Sequence, residues 1–288
     1  MTNQKETMKN NFLSYIIPST AKSQNRKAQK LTLAWQKLTL IVCASLFFME
    51  ANANKIIDVD HVGIQVRLGY NIGGTSPLPL PSTIRRLDNY TFQPNLNFGF
   101  DVTHDAAEQV GVLFGIHFEN KGMNVDAEVK NYHQELVRGG ESLAGQFTGH
   151  VTTKVHSWML TVPIQATYNL NENVTLRFGP YISLLIDKCF KGYAHNGYLR
   201  QGNPTGPKVI LGDTNDTRGN FDFSSNMRDL QLGLDLGADW YVYKRWGVYA
   251  DITWGLSGIH EKAFKTIEQP LYPIYGTLGV TYNIKYKK

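Results

Sequence analysis

Apolar and polar residues alternate with a period of two through eight stretches of the chain: 61–71, 90–102, 110–121, 154–168, 173–187, 228–242, 246–257 and 273–288. That period predicts strands with two unlike faces. The last stretch is the clearest. Ile274, Leu278, Val280, Tyr282, Ile284 and Tyr286 share one parity, while Tyr275, Thr277, Gly279, Thr281, Asn283 and Lys285 share the other. In every stretch one face is bulky and apolar, and the opposite face is glycine-rich, small or polar. A soluble barrel turns its apolar face inward, but the interior of eight strands is only wide enough for side chains to fill, and a full set of Leu, Phe and Trp would crowd it. The pattern therefore predicts an all-β fold: an eight-stranded antiparallel transmembrane β-barrel of the outer-membrane type, with lipid outside and a polar lumen inside.

The connections alternate as well. Those over 103–109, 169–172 and 243–245 are short, and those over 72–89, 122–153, 188–227 and 258–272 are long. Short periplasmic turns and four long outer loops fit the same architecture, with both termini in the periplasm. Threading the strands up and down sorts the lipid-facing aromatics into two belts, as two membrane interfaces require. Phe100, Tyr168, Trp240, Trp246 and Tyr286 fall toward the periplasmic end. Tyr70, Phe92, Phe118, Trp158 and Trp254 fall toward the outer end. Three prolines, Pro94, Pro163 and Pro180, stand inside predicted strands. Each removes a ladder donor, so local bulges are expected there.

No apolar run reaches the ~18 residues of a spanning helix. The longest, over 38–49, follows a basic stretch and precedes Ala51-Asn52-Ala53, the layout of a secretory signal peptide with cleavage after Ala53. Residues 1–53 read as that leader with an unusually long amino-terminal extension, and 54–288 as the barrel domain. The formal charge of the 288-residue chain is +5. Residues 1–53 hold seven Lys/Arg and two Asp/Glu, which leaves 22 of each sign in the barrel domain. A neutral domain lacks the basic footprint of a nucleic-acid binder. With Cys43 in the leader, Cys189 stands alone in the barrel domain, which excludes an internal disulfide or a cysteine metal cluster there.

The inward parity carries Arg67, Arg177 and Lys285 together with Asp101, Glu119, Asp235, Asp239 and Asp251. Charges held inside must pair or hold water, so these predict a lumen closed by ion pairs and hydrogen bonds, with Lys285 near Asp239 or Asp251. Catalysis has little support. A lipid A-modifying barrel enzyme would need a Ser–His pair or a His with a carboxylate near the outer rim. His156 and Ser157 are strand neighbours that point to opposite faces. His150, His195 and His260 lie in outer loops without a fixed serine partner, and neither a metal-ligand spacing nor a cofactor motif is present. Outer-membrane lipid and lipopolysaccharide are the expected surroundings, with Arg85-Arg86 a candidate for lipopolysaccharide phosphates. The long loops are the place for binding, including a surface or secretion-machinery protein partner; the one over 122–153 mixes Val125, Leu136, Val137, Leu143 and Phe147 with charges, a pattern able to extend the strands beyond the membrane.

Several blocks together resemble the PorT-like family of outer-membrane β-barrels, common in Bacteroidetes. They are Val62-Gly63-Ile64-Gln65-Val66-Arg67-Leu68-Gly69-Tyr70-Asn71, Gly115-Ile116-His117-Phe118-Glu119-Asn120-Lys121-Gly122, Leu160-Thr161-Val162-Pro163-Ile164, Phe178-Gly179-Pro180-Tyr181 and Leu232-Gly233-Leu234-Asp235-Leu236-Gly237. The resemblance runs over roughly residues 60–286. It implies the barrel fold and the outer-membrane location, brings no catalytic residue, and suggests a non-enzymatic role at the surface or an accessory role in type IX protein secretion.

Overall fold

Two-faced strands leave no stable alternative in lipid to a closed ring, because every backbone N–H and C=O must find a partner within the protein. The computed structural model describes residues 62–264, 266–267 and 269–285, with the side chain of Lys285 outside that set. Eleven strands follow in order: β1 (Val62–Pro77), β2 (Ile84–Thr91), β3 (Leu96–Asp105), β4 (Val110–Arg138), β5 (Glu141–Asn171), β6 (Val174–Gln201), β7 (Lys208–Leu211), β8 (Gly219–Asp222), β9 (Leu230–Tyr243), β10 (Trp246–Gly255) and β11 (Leu271–Lys285). Eight of them form the ring. β1 pairs β3, then come β4, β5, β6, β9, β10 and β11, and β11 returns to β1, all antiparallel. The ring has no edge at this level.

The two faces separate cleanly. On β10, Trp246, Val248, Ile252 and Trp254 are exposed while Gly247, Tyr249, Asp251 and Thr253 are buried. On β3, Leu96, Phe98 and Phe100 face out and Asn97, Gly99, Asp101 and Thr103 face in. The exposed apolar residues form the wall that lipid covers.

The segment at 90–102 is not one strand. β2 ends at Thr91, Pro94 lies in the link, and the wall strand β3 starts only at Leu96. Pro94 thus breaks the strand rather than bulging it. The link is pinned to β4 by side chains: Asn120 Nδ2 donates to the Pro94 carbonyl at 2.9 Å and Asn95 Nδ2 to the Gly122 carbonyl at 2.8 Å. Pro163 and Pro180 make no bulge either. The register is the same on both sides of each, Phe114↔Ile164 with His117↔Thr161 and Pro163↔Tyr181 with Ala166↔Phe178. The ladder simply skips the missing donor.

The largest departure from the sequence reading is in the long loops. A barrel strand crosses the membrane in about 9–11 residues, yet β4, β5 and β6 run to 29, 31 and 28 residues. The connection over 122–153 does extend the strands, and what reads as a loop over 188–227 is largely sheet. β7 pairs the far end of β6, and β8 pairs both β6 and, at Asn220↔Val137, the tip of β4. The extension of β4–β5–β6 is thereby closed on itself.

The extension obeys the opposite rule from the wall. On β5 the odd positions face inward throughout. Near the turns they are polar (Thr161, Gln165 and Thr167), and beyond the wall they are apolar (Met159, Val155, Val151 and Phe147), all buried. The even positions invert in step, from Trp158, Leu160 and Val162 to His156, Lys154 and Thr152. The physical cause is the solvent. Burying an apolar side chain gains hydrophobic free energy where water lies outside and almost none where lipid does. Phe147, Leu136, Leu199, Leu211 and Phe221 meet in this outer core.

Candidate functional site

Inside the wall the charged residues converge. Arg67 on β1 donates from Nε to Asp101 on β3, and from Nη1 and Nη2 to the two oxygens of Asp239 on β9 at 2.8 and 2.7 Å. Arg177 on β6 approaches the same Asp239 at 3.0 Å and reaches Asp251 on β10 through Nη2. Its Nη1 donates to Gln165 Oε1 at 2.9 Å, and Gln165 Nε2 donates to Asp235 at 2.8 Å. His117 Nε2 lies 2.8 Å from Asp101. The Arg67 guanidinium also stacks 4.8 Å over Tyr249. This knot ties seven strands together across the lumen, and both guanidinium groups are fully enclosed. Paired, fork-shaped contacts of this kind satisfy charges that burial would otherwise make costly.

A second tier sits nearer the outer end. Glu119 accepts from Lys121 at 3.1 Å, Thr161 at 2.7 Å, Asn97 at 3.0 Å and Asn71 at 3.1 Å. Lys121 lies over the rings of Tyr181 and Tyr275. Lys121 and His117 were absent from the charge set read off the sequence. Both have inward parity, so that signal was available. Lys121 stands at the end of its predicted strand, where parity is least reliable, and an inward histidine carries no fixed charge.

Glycines make room for the knot. A Cβ at Gly237 would collide with the Asp251 carboxylate and the Arg177 guanidinium. We expect Gly237→Ala to cost about 1–3 kcal/mol by overpacking, read as a lower urea midpoint for the protein folded in lipid vesicles.

A polar pocket of about 390 Å³ opens at the end of the barrel that carries the short turns, lined in part by Gln65, Thr167, Tyr241 and Asn283. It stops at Arg177 and Asp239, so the knot forms its floor. Of the aromatics assigned to the interfaces, Phe118 and Trp158 stack at 4.9 Å on the outward face, and Trp246 packs on Tyr282 at 4.8 Å near the opposite end. Tyr168, Trp240 and Trp254 are exposed on wall strands. Tyr70 is also on a wall strand, and its hydroxyl donates to the Gln93 carbonyl. Phe92 lies off the wall, in the β2–β3 link, edge-on to Tyr90. The side chain of Lys285, Tyr286, and the cleavage residues Ala51 and Ala53 lie outside the described residues.

The outer face of the extension holds the remaining chemistry. Arg86 is engaged by Asp88 at 2.5 Å and Glu128 at 3.4 Å. His150 pairs with Asp88 at 3.1 Å. His195 stands between Asp126 and Asp213 with Thr152 Oγ1 at 3.2 Å from its Nε2, a hydroxyl partner that the sequence did not reveal. Ser157 is buried inside and His156 sits outside beside Trp158, so those two cannot act together. Among the described residues no group of three or more His, Cys, Asp or Glu is arranged to hold a metal. A groove of about 570 Å³ runs past Lys154, Lys191, Tyr193 and Arg218, with Arg218 stacked 4.1 Å over the Tyr193 ring.

His260, in the link between β10 and β11, is packed between Phe190 and Phe264 at 4.8 and 4.7 Å. Burial lowers its pKa to about 4. The folded state therefore holds it neutral while an unfolded chain would protonate it below about 6.5. Its contribution is complete above that value and is lost progressively as the pH falls toward about 4. We expect proteolysis of the link between Gly258 and Leu271 to accelerate over this window, and His260→Phe to abolish the pH dependence.

The model of the outer membrane protein beta-barrel domain matches residues 51–261. The chain belongs to this family. The closed ring of eight antiparallel strands is thus an outer-membrane barrel, crossing the membrane by strands. No curated protein matches the sequence. Among solved structures it is similar to the attachment invasion locus protein Ail of Yersinia pestis (11% identity, covering 77% of this chain and 97% of that one, TM-score 0.31). It is also similar to CarO of Acinetobacter baumannii (13%, 76% and 96%, TM-score 0.37) and to Neisserial surface protein A (8%, 77% and 96%, TM-score 0.29).

Proposed function

We propose that the protein is a non-enzymatic binding protein of the cell surface, and that the β4–β5–β6 extension is its recognition element. The observation that carries this reading is the extension's own apolar core. A sheet held rigid from inside presents its outward side chains in fixed positions, so little ordering entropy is spent on binding. The groove past Lys154, Lys191 and Arg218 has an excess of positive charge over Asp222 and an aromatic platform in Tyr193. These groups suit an acidic, sugar-like or carboxylate-bearing ligand. Cells displaying the wild-type protein should retain an anionic polysaccharide such as heparin, and a triple variant Lys154→Glu, Lys191→Glu, Arg218→Glu should lose it at unchanged surface level. Equal retention by both would overturn the reading.

An accessory role in type IX secretion is supported by the resemblance of the quoted strand blocks to the PorT-like family. Deleting the gene and assaying secreted and surface proteins separates the two readings, because unchanged secretion removes the second. A lipid A-modifying role would require an altered lipid A mass profile on deletion.

A further inference from the structure

The ring is closed at the level of the knot but not above it. β1 pairs β3 only up to Tyr70, and beyond that residue its one ladder is with β11. β2 stands at the end of the sheet path, paired to β4 alone. A seam therefore separates the upper part of β1 from β2. One backbone bond, from the Asn71 N–H to the Asn95 carbonyl at 2.8 Å, continues past Tyr70; above it Tyr90 Oη donates to the Gly73 carbonyl across the seam at 2.6 Å, while the Thr75 N–H points at Met123 Sδ of β4 behind it at 3.1 Å.

Behind the seam lies a cavity of about 340 Å³ whose lining is mostly apolar. Gly74 and Pro77 form one lip, Ile84, Leu87 and Tyr90 the other, and Met123, Ala127 and Val129 of β4 part of the back wall. The volume is more than twice the roughly 150 Å³ of a cavity that holds benzene, and falls within the range of about 300–1,000 Å³ usual for ligand sites. Gln134 on its wall is buried and its Oε1 has no hydrogen-bond partner. The mouth carries Leu80 and Leu87, about 60% and 62% exposed. Ile274 belongs to both surfaces. It lines the cavity, and on β11 it is paired with Gly74 on one side and with Trp254, on the exposed face of the wall, on the other.

We infer that this cavity takes a single hydrocarbon chain entering sideways through the β1–β2 seam. Through Ile274 and Trp254 the entrance adjoins the outer rim of the lipid-facing wall, so a chain can reach it from the membrane interface. The Tyr90–Gly73 hydrogen bond is the contact that a passing chain must displace. The phenol is partly buried, which raises its pKa above the ordinary value and keeps it a neutral donor.

The chain can come from a free fatty acid or from a membrane lipid, and photolabelling distinguishes them. The full-length barrel in phospholipid nanodiscs is exposed to a diazirine-bearing decanoic acid, or is reconstituted with a phospholipid carrying the diazirine in one acyl chain. We expect crosslinks in β2 and in the part of β4 around Ala127, suppressed by excess decanoic acid for the free probe. Crosslinks there from the phospholipid probe alone would assign the chain to the membrane. Ala127→Trp should fill the cavity and suppress the crosslinks in β2 and β4. Leu80→Asp at the exposed mouth, which leaves the core untouched, should act in the same direction. Labelling confined to the lipid-facing residues of β9 and β10, and unaffected by competitor or variants, would overturn the proposal.

Discussion

Asp239→Leu should lower the stability of the folded barrel by about 3–5 kcal/mol, the range for stripping one partner from a buried charge pair. Asp239 receives the fork of Arg67 and the approach of Arg177, which lie on strands on either side of the lumen. Leucine would leave two enclosed guanidinium groups facing each other, with Asp101 and Asp251 as their remaining anions. The measurement is the urea midpoint of the heat-sensitive gel shift, for protein folded in vesicles of fixed lipid. Asp239→Asn keeps the shape and one acceptor, and should cost less. An unchanged midpoint for the leucine variant would show that the knot contributes nothing to holding the ring shut.

Phe147→Ala should be as costly but in a different place. Phe147 is fully buried in the outer core, beside Leu199 across the β5–β6 ladder. Truncating a buried phenylalanine costs about 3–5 kcal/mol. The loss should fall on the extension alone, since its core lies above the knot and is built from different residues. Limited proteolysis should cut the variant within the outer parts of β4 and β5, while the gel shift that reports the membrane ring stays at its wild-type midpoint. Loss of both together would mean that the ring depends on the extension for its own stability.

The sequence reading reached the ring because alternation is local. The inward and outward residues in the wall parts of β1, β3, β9 and β10 follow from parity, since one greasy face per strand admits a single orientation in lipid. The prolines misled for the opposite reason. Pro163 and Pro180 break one hydrogen bond each, and a closed ladder with correct register on both sides absorbs that without a bulge. The sheet within 188–227 is hidden from the alternation because the extension's outward face is polar and its inward face apolar, the reverse of the wall. A search for greasy outward strands stops at Trp158. Following the odd parity of β5 past Ser157 to Val155, Val151 and Phe147 would have exposed the inversion.

The chain by itself determined how many strands line the membrane, which way the side chains of the wall face, and that the inward face carries charges of both signs. Those properties follow from a period of two and from the cost of polar groups in lipid, which act over neighbouring residues. Only the tertiary structure decided that Arg67 meets Asp239 across 172 positions of sequence, that β8 returns to the tip of β4, and that β1 and β2 part to leave a seam. Each depends on which strands become neighbours when the ring closes, a choice made by long-range pairing and packing that no local alternation encodes.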